Sequence, residues 1–276
     1  MSTRRATARV DLAAIEHNCR RLGAELREGV ALCAVVKADG YGHGAVPGAR
    51  AALAGGASWL AVAGAQEARQ LHDAGVCDAV AGEPRVLVMG ALSRAELEET
   101  LAINADVVIW HERELEAVVS AGGGRVHVKL DSGMGRLGTR DLGEASRVVT
   151  AAEQTAGVEL AGIMTHFATA DELEDGGFFA RQLEHFTLWA QAVKAERPEL
   201  VVHAANSAAL LRDPRAQFDM VRCGIAVYGM DPFGEDPTVR ALEPAMELAS
   251  YVADVKLCEA GQSAGYGRTF VAERET

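Results

Sequence analysis

Eight short apolar runs recur along this chain, and their number constrains the fold more than any other feature. They are 31–36, 59–63 (WLAVA), 85–90 (RVLVMG), 106–110 (DVVIW), 125–130 (RVHVKL), 158–167 (VELAGIMTHF), 200–206 (LVVHAAN) and 219–229 (DMVRCGIAVYG). Each reads as a strand, and helix-like segments fall between them. Asp11 stands where it can cap a first helix, whose apolar residues Leu12, Ile15, Cys19, Leu22 and Leu26 recur at three and four. Ser93-Arg94-Ala95-Glu96 is a capping box, and a helix over 175–195 would carry Phe179, Leu183, Phe186 and Val193 along one face. Alternating units in this number favour an α/β fold, a closed parallel (β/α)8 barrel of the TIM type, because eight parallel strands close around a filled interior. An open doubly wound sheet fits less well, since no G-x-G-x-x-G opens the first helix and there is no P-loop.

The pattern changes after residue 230. DPFGEDPTVRALEP reads as a linker, and ELASYVADVKL alternates apolar and polar residues like a half-buried strand. Only 31 residues run from Met246 to Thr276, fewer than the ~40 a chain usually needs to fold alone. The expected organisation is therefore a barrel over 1–235, then over 236–276 a linker and the incomplete start of an all-β C-terminal domain. No apolar stretch approaches the ~20 residues that span a bilayer, and the opening STRRATARVD lacks the apolar core of a signal peptide. Five scattered cysteines (19, 33, 77, 223 and 258) form no C-x-x-C pair and read as reduced thiols of a cytoplasmic protein. A net charge of −12 argues against nucleic-acid or anionic-membrane partners, though not against a small basic pocket.

Ligands of such barrels bind at the carboxyl ends of the strands. Residues 34–44 read AVVKADGYGHG, so the first strand ends abruptly in Lys37. At the mouth of an apolar barrel, partial desolvation favours the neutral amine, a nucleophile towards carbonyls. The glycines that follow allow close backbone approach to a ligand, and Tyr41 is placed to grip a phosphate. Lys129 and Arg136 lie around the fifth strand, His166 at the sixth, Asn206 and Ser207 at the seventh, and Arg222 within the eighth. An unpaired buried guanidinium would be costly, so Arg222 is either paired or aimed at a ligand. Basic residues converging on one rim of an acidic protein imply an anionic, phosphorylated ligand. His166 with Asp171 does not make a metal site without an H-x-H or a second histidine at ligand spacing, so no metal is expected. His203 reads as a satisfied core residue, Gly122–Gly124 as a turn, and no G-x-S-x-G supports hydrolysis.

Six motifs together carry a resemblance: VVKADGYGHGA, VKLDSGMGRLG (128–138), THFATAD (165–171), HAANSAAL (203–210), VRCGIAVYG (221–229) and AGYGRTF (264–270). In order and over the whole chain, the sequence resembles the alanine racemases. That resemblance implies a barrel that binds pyridoxal 5'-phosphate, a following β domain, and a head-to-tail homodimer. It implies interconversion of L- and D-alanine, a small amino-acid substrate, and D-alanine supply for peptidoglycan. By position, Lys37 resembles the lysine that holds the cofactor and acts as base on the D face. Tyr266 resembles the base for the L face, contributed to the neighbouring subunit's site. Tyr41, Ser207, Gly224 and Ile225 match phosphate-binding positions, the last two through backbone N–H groups. Arg222 matches the partner of the pyridine nitrogen, His166 a member of the network behind it, and Arg136 the residue near the cofactor phenolate and the substrate carboxylate. Lys129 matches a lysine often carbamylated in that family, and Asn206 belongs to the matching asparagine–serine pair. The resemblance also implies a further phosphate-binding tyrosine and a substrate-contacting methionine beyond Thr276, so the chain as it stands is expected to bind cofactor more readily than it turns over. Alternatives are a broad-specificity or serine racemase, which would share every motif, and a single-domain pyridoxal-phosphate carrier of the same barrel type. GMGRLG and AGYGRTF argue against the carrier.

Overall fold

The apolar runs become strands because their alternate residues serve two different packing environments. The computed structural model describes residues 5–78 and 84–276; residues 1–4, part of the basic opening stretch, lie outside it. A first strand, β1 (Ala6–Val10), is followed by eight parallel strands that close into a barrel: β2 (Ala31–Val35), β3 (Trp59–Val62), β4 (Arg85–Val88), β5 (Asp106–Ile109), β6 (Gly124–Lys129), β7 (Val158–Met164), β8 (Val201–His203) and β9 (Met220–Cys223). The barrel closes where Cys33 of β2 registers with Arg222 of β9. Cys33, Val35, Trp59, Ala61, Leu87, Val108, Met164 and Met220 point inward and fill the lumen. Their neighbours of opposite parity, among them Leu32, Ala34, Leu60, Val107, Val126, Val128 and Val221, point outward against the helices. The period of two lets one short run satisfy both surfaces.

Helices α1 (Leu12–Gly23), α2 (Lys37–Tyr41), α3 (Ala45–Ala54), α4 (Ala65–Asp73), α5 (Arg94–Ala102), α6 (Glu112–Ser120), α7 (Leu142–Gln154), α8 (Phe178–Glu196) and α9 (Ser207–Arg212) run between and around the strands; α2 is a single left-handed turn. Their starts follow the expected signals. Asp11 accepts the N–H groups of Ala13 and Ala14 at 2.9 and 3.3 Å, and Ser93 with Glu96 forms the capping box. The helix expected over 175–195 starts at Phe178, because the Asp175 carboxylate takes the N–H of Gly177 at 2.9 Å and of Phe179 at 2.7 Å. None of the described helices is long and apolar enough to cross a membrane.

Four expectations shift. The long runs 158–167, 200–206 and 219–229 are strand only as far as Met164, His203 and Cys223. Beyond those residues the chain leaves the ladder at the barrel rim, where it is apolar because it packs as loops and not because it is sheet. The division expected at 235/236 falls at 246/247: among the described residues one compact unit is Val10–Met246 and the other joins residues 5–9 to 247–276. The segment read as a linker is packed onto the barrel, with Leu242 and Ala245 buried and Ala245 N–H donating to Tyr228 O at 3.0 Å. Within the smaller unit, β10 (Met246–Ser250) pairs with β1, and β11 (Ser263–Ala264) pairs antiparallel with β12 (Phe270–Val271). The alternating run 247–257 is strand only to Ser250, and Tyr251, Val252, Val255 and Leu257 are exposed.

Candidate active site

Lys37 is the second residue past β2 and the first of α2, and the backbone that follows it is unusual. Ala38, Asp39, Gly40 and Tyr41 have φ of 52°, 52°, 62° and 54°, four successive residues in the left-handed region. Three of them carry a Cβ, at a cost of roughly 1–2 kcal/mol each. Neighbours hold the turn in place. The Glu67 carboxylate of α4 accepts Ala38 N–H at 2.7 Å with one oxygen and Ala63 N–H at 2.7 Å with the other. The Asp39 carboxylate accepts the N–H of Ala45, the first residue of α3, at 2.8 Å. The turn brings the Lys37 amine to 5.8 Å from the centre of the Tyr41 ring. Strain this concentrated persists only where surrounding contacts over-determine it, as at functional sites.

Lys37 and Tyr41 line a cavity of about 390 Å³ at the carboxyl ends of the barrel strands, a volume within the range of roughly 300–1,000 Å³ common to small-molecule sites. Lys129, Arg136, His166, Asn206, Ser207, Arg222, Gly224 and Ile225 line the same cavity. Every barrel-site residue named from the sequence is therefore gathered there. Tyr266 belongs to the smaller unit, on the turn Tyr266–Arg268, where its side chain is exposed. Four cationic side chains and one carboxylate, Asp171, line the cavity, although the whole chain carries a net −12.

Arg222 is only 2 % exposed, and it is both paired and part of the cavity wall. Nη1 donates to His203 Nδ1 at 2.9 Å, and Nη2 to the carbonyls of Thr165 and Ala204 at 2.8 and 3.1 Å and to His166 Nδ1 at 3.3 Å. Burial lowers its pKa to about 10, so it stays charged at neutral pH. Burial also pushes His166 well below the ordinary histidine value, and Arg222, Lys129, Arg136 and Lys37 add to the effect; His166 is a neutral acceptor. Lys129, 3 % exposed, is lowered to about 8 by burial and by the charges of Arg222 and Arg136, with Asp131 opposing. Arg136 is exposed.

Just past Arg222, the N–H groups of Gly224 and Ala226 donate to Ser207 Oγ at 3.1 and 3.4 Å. Asn206 caps α9 by accepting Ala209 N–H at 2.9 Å, fixing the helix start that carries Ser207. Gly224 is there for space: a Cβ on it would lie 2.3 Å from Tyr41 Oη. Burial raises the Tyr41 phenol, so it stays protonated. Sequence reasoning missed Glu67, the Thr165 carbonyl, and two buried residues behind Arg222, Asp106 and His127. The parity of RVHVKL was the available signal, since it puts His127 on the inward face with Lys129.

The family model described as "Alanine racemase, N-terminal domain" matches residues 10–232, most of the compact unit that holds the cavity. The chain belongs to the alanine racemase family. It is 40% identical over 269 residues to the alanine racemase of Listeria monocytogenes, spanning 96% of this chain and 71% of that protein. It is 40% identical over 280 residues to that of Thermobifida fusca, spanning 98% and 72%. The crystal structure of alanine racemase from D-cycloserine-producing Streptomyces lavendulae superposes with a TM-score of 0.86 at 36% identity, covering 100% of this chain and 73% of that one. The alanine racemase of Streptomyces coelicolor does so with a TM-score of 0.86 at 38% identity, covering 99% and 73%. The chain spans about seven-tenths of these family members.

Proposed function

We propose that this protein interconverts L- and D-alanine with pyridoxal 5'-phosphate, using Lys37 and Tyr266 as the two proton-transferring residues. The observation that carries the reading is the convergence of Lys37, Lys129, Arg136 and Arg222 on one rim cavity of an acidic protein. The residues present fit that cofactor, because the bare Cα of Gly224 leaves open a cradle that a Cβ would fill, beside Tyr41 Oη and Ser207. Once bound, pyridoxal phosphate supplies the electron sink that acidifies the substrate Cα–H.

Lys37 holds the cofactor through its amine and exchanges the Cα proton on one face. Tyr266 of the partner subunit does so on the other face, in a homodimer. Tyr41, Ser207 and the N–H groups of Gly224 and Ile225 hold the phosphate. Arg222 would hold the pyridine nitrogen; as a donor that keeps its proton, it would leave that nitrogen unprotonated and so favour proton exchange over transamination. His166 backs Arg222 as a neutral acceptor, and Asn206 fixes the phosphate loop. Arg136 takes the substrate carboxylate and the cofactor phenolate, oriented by Lys129 in carbamylated form. The five free cysteines support a reducing, cytoplasmic setting.

Borohydride reduction of the protein loaded with pyridoxal phosphate, followed by peptide mass mapping, tests the cofactor assignment. A pyridoxyl group is expected on Lys37 and absent in Lys37→Ala; a label on any other lysine overturns the assignment. In an L/D-alanine interconversion assay, Tyr266→Phe is expected to lose roughly 100-fold or more in kcat, the scale of a lost general base. Faster turnover of serine than of alanine would replace alanine as the substrate.

A further inference from the structure

Behind Arg222 a chain of buried polar groups runs through the barrel interior to its far end. His203 Nε2 lies 2.8 Å from His127 Nδ1, and His127 Nε2 lies 2.9 Å from Asp106 Oδ2. Asp106 is the first residue of β5, at the amino end of the barrel. There Arg85 reaches its Oδ2 at 2.5 Å and Arg125 its Oδ1 at 2.7 Å. Asp106, His127 and His203 are fully buried.

The donor inventory fixes every proton in this chain. A guanidinium has no lone pair to offer, so His203 Nδ1 must accept from Arg222. His203 then carries its proton on Nε2 and donates it to His127 Nδ1. His127 in turn carries its proton on Nε2 and donates it to the Asp106 carboxylate. Both imidazoles are neutral Nε2–H tautomers, and neither can take a second proton without breaking a link. The electrostatics agree. Burial, reinforced for His203 by Arg222, His127 and Lys129, lowers both histidines. Burial alone would raise the Asp106 carboxyl, yet the bonds from His127 and Arg125 and the charge of Arg85 hold it below its ordinary value.

The backbone makes room for this arrangement. Gly162 on β7 registers with His127, and the β6–β7 register slips between Val126 and His127. A Cβ at Gly162 would lie 2.3 Å from His127 Nδ1, so the glycine is required by the ring. The indole of Trp59 packs edge-on to the same imidazole at 5.8 Å and carries the Arg85 guanidinium over its face at 4.5 Å. A bulge, a glycine and an aromatic wall around one histidine point to a held orientation.

We propose that His127 and Asp106 are positioning residues for Arg222, transmitting to it an orientation anchored at the Arg85–Asp106–Arg125 cluster. Its effect on catalysis rests on the reading that Arg222 faces the cofactor ring; the hydrogen-bond chain itself does not. Any change that breaks the chain at His127 releases the acceptor of Arg222 Nη1 and loosens the guanidinium at the cavity wall.

The first test uses the ligand-free protein labelled with 15N-histidine. His203 and His127 are expected as Nε2–H tautomers that do not titrate between about pH 5.5 and 8.5, where a free histidine does. A proton on Nδ1 of either ring overturns the proposal whether or not any cofactor binds. The second compares His127→Gln, whose amide can accept from His203 and donate to Asp106, with His127→Leu, which fills similar space and does neither. Solvent exchange of the Arg222 guanidinium protons is expected to be near the unmutated rate in the glutamine variant and at least ~10-fold faster in the leucine variant. In holoenzyme, kcat should follow the same order while KM for alanine changes less. Equal exchange and equal kcat in the two variants would show that His127 only fills volume. Failure of the unmutated protein to take up pyridoxal phosphate would overturn the functional reading and leave the tautomer result standing.

Discussion

Lys129→Met is expected to stabilise the protein, and the size of the gain follows from the site. The Lys129 amine is buried beside Arg222 and Arg136, and its pKa falls from the ordinary 10.5 to about 8. At 1.36 kcal/mol per tenfold change in proton affinity, that fall amounts to about 3 kcal/mol against the charged amine at neutral pH. The unfolded chain binds the proton more tightly. The penalty is therefore fully present below pH ~8, and stability rises as pH climbs from about 8 to about 10.5. Methionine keeps the length of the stem and removes the charge. In buffer stripped of carbon dioxide at pH 7, calorimetry should show the variant melting roughly 6–12 °C higher, at about 2–4 °C per kcal/mol. The gap should close towards pH 10.5. Added bicarbonate should raise the unmutated protein alone, because the neutral amine adds to carbon dioxide, releases a proton and becomes an anion facing two arginines. A methionine variant that melts lower at pH 7, or a gap independent of pH, would refute the electrostatic account of Lys129.

Gly224→Ala places a methyl 2.3 Å from Tyr41 Oη, so pyridoxal phosphate should bind at least ~10-fold more weakly with little change in melting temperature; unchanged affinity in a spectroscopic titration would remove the cradle. Glu67→Gln leaves one of the two N–H groups of Ala38 and Ala63 without an acceptor, and urea unfolding should register a loss of about 1–3 kcal/mol. Ala38→Val forces a β-branched residue to φ 52° and should destabilise by about 1–3 kcal/mol, whereas Ala38→Gly should not; equal stability of the two would mean the left-handed turn does not persist in solution.

Legibility in the sequence divided along a physical line. The barrel could be read because its strands are short apolar runs and its helices begin at side-chain caps, both encoded within a few adjacent residues. Lys37, Lys129, His166, Ser207 and Arg222 could be placed because a polar residue ending an apolar run can face only the rim or the lumen. The left-handed turn after Lys37 could not. Ala38, Asp39 and Tyr41 have no local preference for positive φ, and the turn is set by Glu67, 29 positions from Ala38.

The same limit explains why Asp106 and His127 were not found. Asp106 sits singly in an otherwise apolar strand and His127 alternates with Arg125 and Lys129, so neither stands out from its own segment. Their meaning lies in parity: Asp106, His127, His203 and Arg222 belong to four different strands and share only the inward direction that barrel closure imposes. A buried arginine requires acceptors, and an acceptor imidazole requires a further acceptor for the proton it keeps, so the series must continue until it meets a group that only accepts, a carbonyl or a carboxylate. From Arg222 alone one could have inferred such a terminus inside the barrel, but not its address, because strand register is settled by packing between distant segments. Gly162 shows the dependence from the other side, since its lack of a Cβ is intelligible only once the His127 ring is known to occupy that space. A glycine in a strand with no need for a left-handed turn is a local trace of a distant side chain, and here it marks where the support for Arg222 passes.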